Sequence, residues 1–499
     1  MWAALIVSAF LCGALFTFLP LNFLPMLLAP LSLLALFVIW ALPRTQTAPT
    51  KLLVRLYYAF FAALILWPNY LAVSIPGLPW ITVLRVVGIP MAGVFLIALS
   101  ISPPMRGEIK EVLKSAPWIW RLLAIFIAIQ LVTIPLSAAL FTSVSRFVIA
   151  QINWTVIFFA SCYIFRTEGR VIRWTFMMVI MALIVIAIGG WEWRMSHIPW
   201  AGHVPSFLAV SDVAVQRILA GATRLGTFYR TQSTFTTSLS FAEYLALTTP
   251  FVIHLAVVGR RRTTRLASTA CVPVIFFGVF ITDSRLGALG FFLSFLLYVA
   301  VWALRRWRSD RRSIFGPAVT LGYPVIFGSF ILATLVNLRL YRMVWGGGQY
   351  QFSTDARQQQ LEMAIPKILH APWGHGIGQA ADVLQFYSPA GLLTIDSYYL
   401  TIALEYGVVG FIAYYGMFAV AMLYGASAMF RSRSYETSFL VPAVIALANF
   451  VVVKSVLSQE AGHPLAFMIL GMIAALVYRV KVEQECASGS KSFAKPQSS

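Results

Sequence analysis

The sequence predicts an all-α polytopic membrane protein of about 12 to 14 transmembrane helices. Three observations predict it. Of 499 residues, 60% are hydrophobic and only 11% charged, and the mean hydropathy is +0.82, far from the composition of a soluble domain. Apolar runs of roughly 17 to 22 residues recur along nearly the whole length, each enough to cross about 30 Å of hydrocarbon as a helix. Lys and Arg outnumber Asp and Glu by 37 to 17, yet the cations sit in short loops between apolar runs. That is the distribution of positive charge retained on the cytoplasmic side, and no nucleic-acid partner is expected from it.

In chain order the spans fall near 2–19, 22–42, 52–68, 83–101, 118–137, 147–165, 174–192, 239–258, 266–282, 286–304, 318–336, 397–430, 437–457 and 464–480. With both termini cytoplasmic, every second loop is also cytoplasmic and basic. These loops carry Arg44 and Lys51; Arg106, Lys110 and Lys114; Arg166, Arg170 and Arg173; and Arg260, Arg261, Arg262 and Arg265. Arg305, Arg306, Arg308, Arg311 and Arg312 follow, then Arg431 and Arg433, and finally Arg479 and Lys481. One orientation accounts for nearly all of them. The first apolar stretch lacks a basic leader region and a small-residue cleavage site, so it reads as a retained helix.

This gives an N-terminal bundle at 1–192, an outer loop at 193–238, helices at 239–336, a second outer loop at 337–396, C-terminal helices at 397–481 and a disordered, Ser-rich tail at 482–499. Cys12, Cys162 and Cys271 lie within spans and Cys486 in the tail, so no disulfide framework is expected.

The two outer loops are long enough to be functional. The first carries Trp193, Trp200, Phe207, Phe228 and Tyr229, and the second Trp345, Tyr350, Trp373 and Phe386, so both are expected to pack on the membrane surface. Ser353, Thr354 and Asp355 form a helix-start signature, and Leu361, Ile365, Ile368 and Leu369 then recur at helical spacing up to Pro372. The pattern predicts an amphipathic helix in the outer interface.

Charges on the outer side are the informative ones. Arg285 sits in the tight turn Thr282-Asp283-Ser284-Arg285; it snorkels or pairs with Asp283, or else it binds an anion. Arg357 either pairs with Asp355 or Glu362 or joins that anion site. Arg224 is a candidate too, and Arg230 reads first as an ordinary loop charge. Planar, permanently charged guanidinium groups suit a pyrophosphate better than Lys would. The stretch Pro372-Trp373-Gly374-His375-Gly376-Ile377-Gly378 lacks the Lys-Ser/Thr of a nucleotide loop; its glycines permit a tight bend, and its amides could touch a phosphate. His370 and His375 have no zinc-ligand spacing, so no metal or other cofactor is expected. Asp396 reads as the N-cap of the helix that follows and as a general base near an attacking sugar hydroxyl, two compatible roles. Glu243 and Glu405 are intramembrane acids, either functional or paired with an Arg to hold the loops.

Three ordered motifs resemble the bacterial O-antigen ligases and the O-antigen and exopolysaccharide polymerases. These are Arg224-Leu225-Gly226-Thr227-Phe228 with Phe241-Ala242-Glu243-Tyr244-Leu245; Ser284-Arg285-Leu286-Gly287-Ala288; and Arg357 followed by residues 372–378, Asp396-Ser397-Tyr398-Tyr399-Leu400 and Glu405-Tyr406-Gly407-Val408-Val409-Gly410. The resemblance implies a metal-independent, inverting glycosyltransferase of the C-type membrane fold. Its donor would be an undecaprenyl-diphosphate-linked oligosaccharide at the periplasmic face, and a chain-length-regulating co-polymerase would be a partner. Arg285 and Arg357 match the family's essential arginines and would hold the diphosphate with Arg224, while Asp396 would be the base; Glu243, Glu405 and His375 would support them. Ligases typically carry His-Asn where this chain has Asp396-Ser397, which moves the expectation from ligase to polymerase. A lipid-linked oligosaccharide flippase or anion transporter is the competing class; it would place ionisable groups near mid-bilayer in two related halves, whereas these candidates gather at one interface.

Overall fold

The computed structural model describes residues 32–492 apart from 33, 46, 76–79, 211, 225–227, 310–313, 337–350, 389–390 and 392. The expected span 2–19, most of 22–42, Trp345 and Tyr350 lie outside the described residues.

Among the described residues ten helices are long and apolar enough to cross a membrane, so the chain is an all-α, multi-pass membrane protein. They are Val83–Ile101, Pro117–Leu136, Leu140–Phe165, Arg170–Met195, Ser238–Val258, Arg262–Ile281, Arg285–Ser309, Tyr398–Met429, Thr437–Lys454 and His463–Ala487. Two further helices occupy expected spans, Thr50–Leu66 and Phe315–Val336.

The described helices are α1 (Thr50–Leu66), α2 (Val83–Ile101), α3 (Pro103–Ser115), α4 (Pro117–Thr133), α5 (Leu140–Ala150), α6 (Ile157–Phe165), α7 (Arg170–Met195) and α8 (Val213–Ala220). A two-stranded antiparallel hairpin follows, β1 (Ala222–Arg224) with β2 (Phe228–Arg230), in the register Ala222 to Arg230. Then come α9 (Ser238–Val258), α10 (Arg262–Ile281), α11 (Arg285–Ser309), α12 (Phe315–Val336), α13 (Gln351–His370), α14 (Ala380–Leu384), α15 (Tyr398–Met429), α16 (Leu440–Lys454) and α17 (His463–Ser492).

The chain divides into two compact units. The smaller comprises residues 1–108 and 197–221. Its core joins Tyr70, Leu71 and Ala72 to Val210 and Val215 of the first outer loop, with Trp80 and Trp200 against them, and Trp200 Nε1 donates to the Tyr70 hydroxyl at 3.1 Å. Part of that loop is therefore folded, as its aromatic content predicts.

The larger unit holds residues 109–196 and 222–499. At one end its basic loops interlock. Arg479 pairs with Glu436 at 2.6 Å, Gly169 N donates to the same carboxylate at 2.5 Å, Arg305 donates to Met429 O at 2.6 Å, and the Arg260 guanidinium lies over the Tyr435 ring. The alternation of basic loops read from the sequence thus gathers these residues at one end of the bundle. The candidate site lies at the other.

Two boundaries differ from expectation. The span expected at 147–165 begins at Leu140, because a π-helical turn at Gln151–Val156 joins α5 to α6 without a break; Arg146 is therefore inside it. The tail expected at 482–499 is helical as far as Ser492. Its polar residues include helix formers, and Lys481 pairs with Glu485 one turn on.

Candidate functional site

Thr282, Asp283 and Ser284 connect α10 to α11. Asp283 adopts φ 45°, a left-handed conformation that a short polar side chain tolerates, and it turns the chain in three residues. The Ser284 hydroxyl accepts from Gly287 N at 3.2 Å and caps α11. Arg285 is half-buried in the first turn. The glycines that follow serve packing: a Cβ on Gly287 would lie 2.7 Å from Ala242 Cβ, and one on Gly290 2.7 Å from Ala246 Cβ. Small residues let α11 lie directly on α9, which ties the Ser-Arg turn to the N-terminus of α9 and to Glu243.

Arg230, expected to be an ordinary loop charge, belongs to this turn. Its Nε donates to Thr282 O at 3.4 Å, and Thr231 N donates to Ile281 O at 3.1 Å. Strand β2 fixes it there. Arg224 is in β1 opposite Phe228, and its side chain lies outside the described residues.

The second arginine is on α13. Arg357 is half-buried, Gln360 and Ala364 are buried, and Ala364 and Ile368 join the apolar cluster of Leu384, Leu400 and Leu404. Leu361, Ile365 and Leu369 are exposed on the adjoining face, with Trp373 just beyond; the expected helix is present, but Ile368, expected on the apolar stripe with them, packs inward against the cluster. Its start is not at Ser353: the chain is already helical at Gln351, so the hydroxyl signature falls inside the first turns instead of capping them.

Gln360 Oε1 accepts from Asp396 N at 2.9 Å, and Arg357 lies close enough to act on the Asp396 charge. Burial raises the Asp396 carboxyl above its ordinary range, and the Arg357 guanidinium pulls it back down. Asp396 is not the N-cap of α15. Ser397 occupies that position in an extended conformation, and its carbonyl accepts from Thr401 N. The Asp396 carboxylate is thus one residue outside the helix, beside a cation.

Residues 372–378 plug a break in α15. Gly407 has φ 67° and ψ −169°, which interrupts the helical ladder and leaves carbonyls to be satisfied. His375 N donates to Leu404 O at 2.9 Å, Gly376 N to Glu405 O at 3.0 Å, and Val408 N to Pro372 O at 2.9 Å. His375 Nδ1 also lies 3.0 Å from Leu404 O. Gly374, Gly376 and Gly378 all take positive φ, so the glycines serve a tight bend as expected. The phosphate reading of these amides is overturned for His375 and Gly376, whose N–H groups are spent on α15.

Glu405 is clamped in the same place: the backbone amides of Gly378 and Ala380 and the Arg146 guanidinium face its carboxylate. Glu243 pairs not with an Arg but with Lys454, at 2.9 Å, both buried. Lys454 Nζ also donates to Gln459 O at 2.5 Å, and Gln459 Oε1 accepts from Thr237 at 2.8 Å and Ser240 at 2.6 Å. Tyr398 donates to Glu460 at 3.4 Å, and its ring lies 5.7 Å from Lys454 Nζ. Both acids therefore hold segments in place, and His375 joins them through the backbone.

The Arg230–Arg285 turn and the Arg357–Asp396 pair are thus linked through Ala242, Glu243, Lys454 and Tyr398, and helices α9, α11, α15 and α17 all start at this end. Helix N-termini carry partial positive charge, and Arg285 lies in the first turn of α11, so positive charge is concentrated at the Ser-Arg turn. Sequence reasoning missed Arg146, Glu192, Gln360, Lys454, Gln459 and Glu460. Lys454 could have been found as an ionisable residue closing an apolar span; Gln360 carried no signal.

No curated protein matches the chain. Residues 270–415 match the O-antigen ligase family, a stretch that contains Arg285, Arg357, Asp396 and Glu405 and ends eight residues beyond the break at Gly407. Two of the three motifs that carried the resemblance lie within the matched stretch, and the chain is a multi-pass membrane protein similar to the O-antigen ligase family over residues 270–415.

Proposed function

We propose that the protein polymerises undecaprenyl-diphosphate-linked oligosaccharide repeat units into exopolysaccharide or O-antigen at the periplasmic face of the inner membrane. The observation that carries this reading is Asp396 beside Arg357, just outside the N-terminus of α15, where ligases of the family typically carry His-Asn. In the reaction, a sugar hydroxyl of the acceptor attacks the anomeric carbon of the lipid-linked chain from the face opposite the diphosphate. The carbon–oxygen bond to the diphosphate breaks as the new glycosidic bond forms, and the proton passes to the Asp396 carboxylate. Arg285 and Arg357 stabilise the charge that grows on the departing lipid diphosphate, with Arg224 as a further contact. Fixed guanidinium groups suit this task because their charge cannot be titrated away. The reaction needs no metal ion, and the basic end of the bundle faces the cytoplasm with both termini.

Transfer of the glycan to a lipid or other acceptor by a ligase is the second reading, favoured by the description of the matching family. A deletion strain complemented with wild type or Arg285→Ala separates the two when surface and lipid-linked glycans are sized. Polymerisation predicts long polymer with wild type and single lipid-linked repeats with the variant. Polymer that is made in full but stays on its lipid carrier in the variant supports ligation.

A further inference from the structure

Glu192 is fully buried one turn before the end of α7, and its carboxylate is filled by hydrogen bonds from a single short segment. Oε1 accepts from the Tyr229 hydroxyl at 2.7 Å and from Gln232 N at 3.1 Å. Oε2 accepts from Ser233 N at 2.6 Å. Ser233 takes φ 53°, so the two successive N–H groups point to one side and form an anion-binding concavity; here the protein's own carboxylate occupies it. The Ser233 hydroxyl donates to Val185 O at 2.8 Å, a second tie to α7. Thr231, Gln232 and Ser233 are all buried.

The other side of this segment grips the Ser-Arg turn. Thr231 N donates to Ile281 O at 3.1 Å and Arg230 Nε to Thr282 O at 3.4 Å. Residues 229–233 are therefore clamped between α7 and the turn that delivers Arg285. A carboxylate is well suited to this place because hydrogen bonds to a charged acceptor are stronger than neutral ones.

We propose that Glu192 is a positioning residue: it fixes residues 229–233 as the brace that sets Arg230 and Arg285 for the diphosphate of the lipid-linked donor. This rests on the assignment of Arg285 to that diphosphate. Glu192→Gln keeps the acceptor for Tyr229 and Gln232 N but turns an amide donor toward Ser233 N, whereas Glu192→Ala removes every contact.

The test is a double-variant cycle in the full-length protein reconstituted in vesicles with a lipid-diphosphate-linked repeat unit, reading kcat and the donor and acceptor KM, with inorganic pyrophosphate as competitor. Glu192→Ala is expected to lower kcat on the order of a hundredfold and weaken pyrophosphate competition, with acceptor KM unchanged and partial recovery in Glu192→Gln. Because Glu192 acts through the turn, the Glu192→Ala/Arg285→Ala double variant is expected to be no slower than Arg285→Ala alone. Losses that multiply, or a Glu192→Ala enzyme that loses rate only in proportion to its folded fraction, overturn the proposal. An Arg285→Ala enzyme that transfers and binds pyrophosphate like wild type overturns instead the assignment of the diphosphate site.

Discussion

Lys454, at the end of α16, reaches Glu243, in the second turn of α9, at 2.9 Å, and neither side chain exposes more than 1% of its surface. The pair joins the N-terminus of α9 to the 455–462 turn, and Gly462 is part of the fit: a Cβ there would lie 2.5 Å from the Glu243 carboxyl carbon. Removing one partner leaves the other charge buried and uncompensated. Lys454→Ala is therefore expected to cost about 3 to 5 kcal/mol of stability. Thermal unfolding of the purified protein in detergent checks this, and Glu243→Gln combined with Lys454→Gln should recover part of the loss.

A second prediction concerns the break in α15. Gly407 combines φ 67° with ψ −169°, a region that essentially only glycine occupies, and a Cβ on it would overlap Pro372 O. The backbone conformation alone costs an alanine roughly 1 to 3 kcal/mol, and the overlap would push the 372–378 turn away from the helix. Gly407→Ala should unfold at lower temperature and lose transfer activity. Gly416→Ala, on the same helix, meets only Leu122 at an ordinary 3.5 Å and should match wild type in both assays.

The pH dependence follows from Asp396. As the base it must be ionised, so the rate falls as pH drops through its folded pKa. Burial raises that pKa and Arg357 opposes the rise. Arg357→Gln removes the opposing charge, so the acidic limb of the residual rate should move to higher pH. Arg357→Lys keeps a cation and should leave the limb near its wild-type position. Equal limbs in the two variants would contradict the assignment of Asp396 as base.

The exposed face of α13 gives a prediction independent of catalysis. Leu361, Ile365 and Leu369 recur every four residues on the side turned away from α15, the arrangement of a helix seated in the headgroup boundary. Spin labels at these positions in vesicles should be relaxed more by oxygen than by a water-soluble nickel complex, with the reverse at Gln359 and His370, which are exposed on the polar side of the same helix. Water-like accessibility at all five positions would place the helix off the membrane.

Much of the fold is legible in the sequence because bilayer thickness fixes helix length and composition locally. The helices at 83–101, 239–258 and 397–430 follow from apolar runs alone, and the spacing of Leu361, Ile365 and Leu369 marks α13. What periodicity leaves open is pairing across the bundle. Glu243 is visibly an intramembrane acid, but nothing local says that its partner is Lys454 in another span. The glycines of 372–378 announce a bend, and only the break at Gly407 shows that the amides of His375 and Gly376 are consumed by α15. Asp396 reads as a cap because Asp often caps; the helix begins one residue later, with Ser397 in that place. Arg285 and Arg357 stand out because cations are rare in the loops that the charge pattern assigns to the outer side. Arg230 and Glu192 do not, since their roles come from a hairpin and a turn whose contacts are long-range.

The most direct test of the central claim is the size of the glycan made by purified wild type, Arg285→Ala and Asp396→Asn in vesicles, supplied with a lipid-diphosphate-linked repeat unit and a chelator of divalent cations. Catalysis by Arg285 and Asp396 without a metal predicts products of increasing length with wild type and unextended repeat units with both variants at equal folded protein. Chain extension by the two variants at the wild-type rate, or no extension by wild type until a divalent cation is restored, would contradict it.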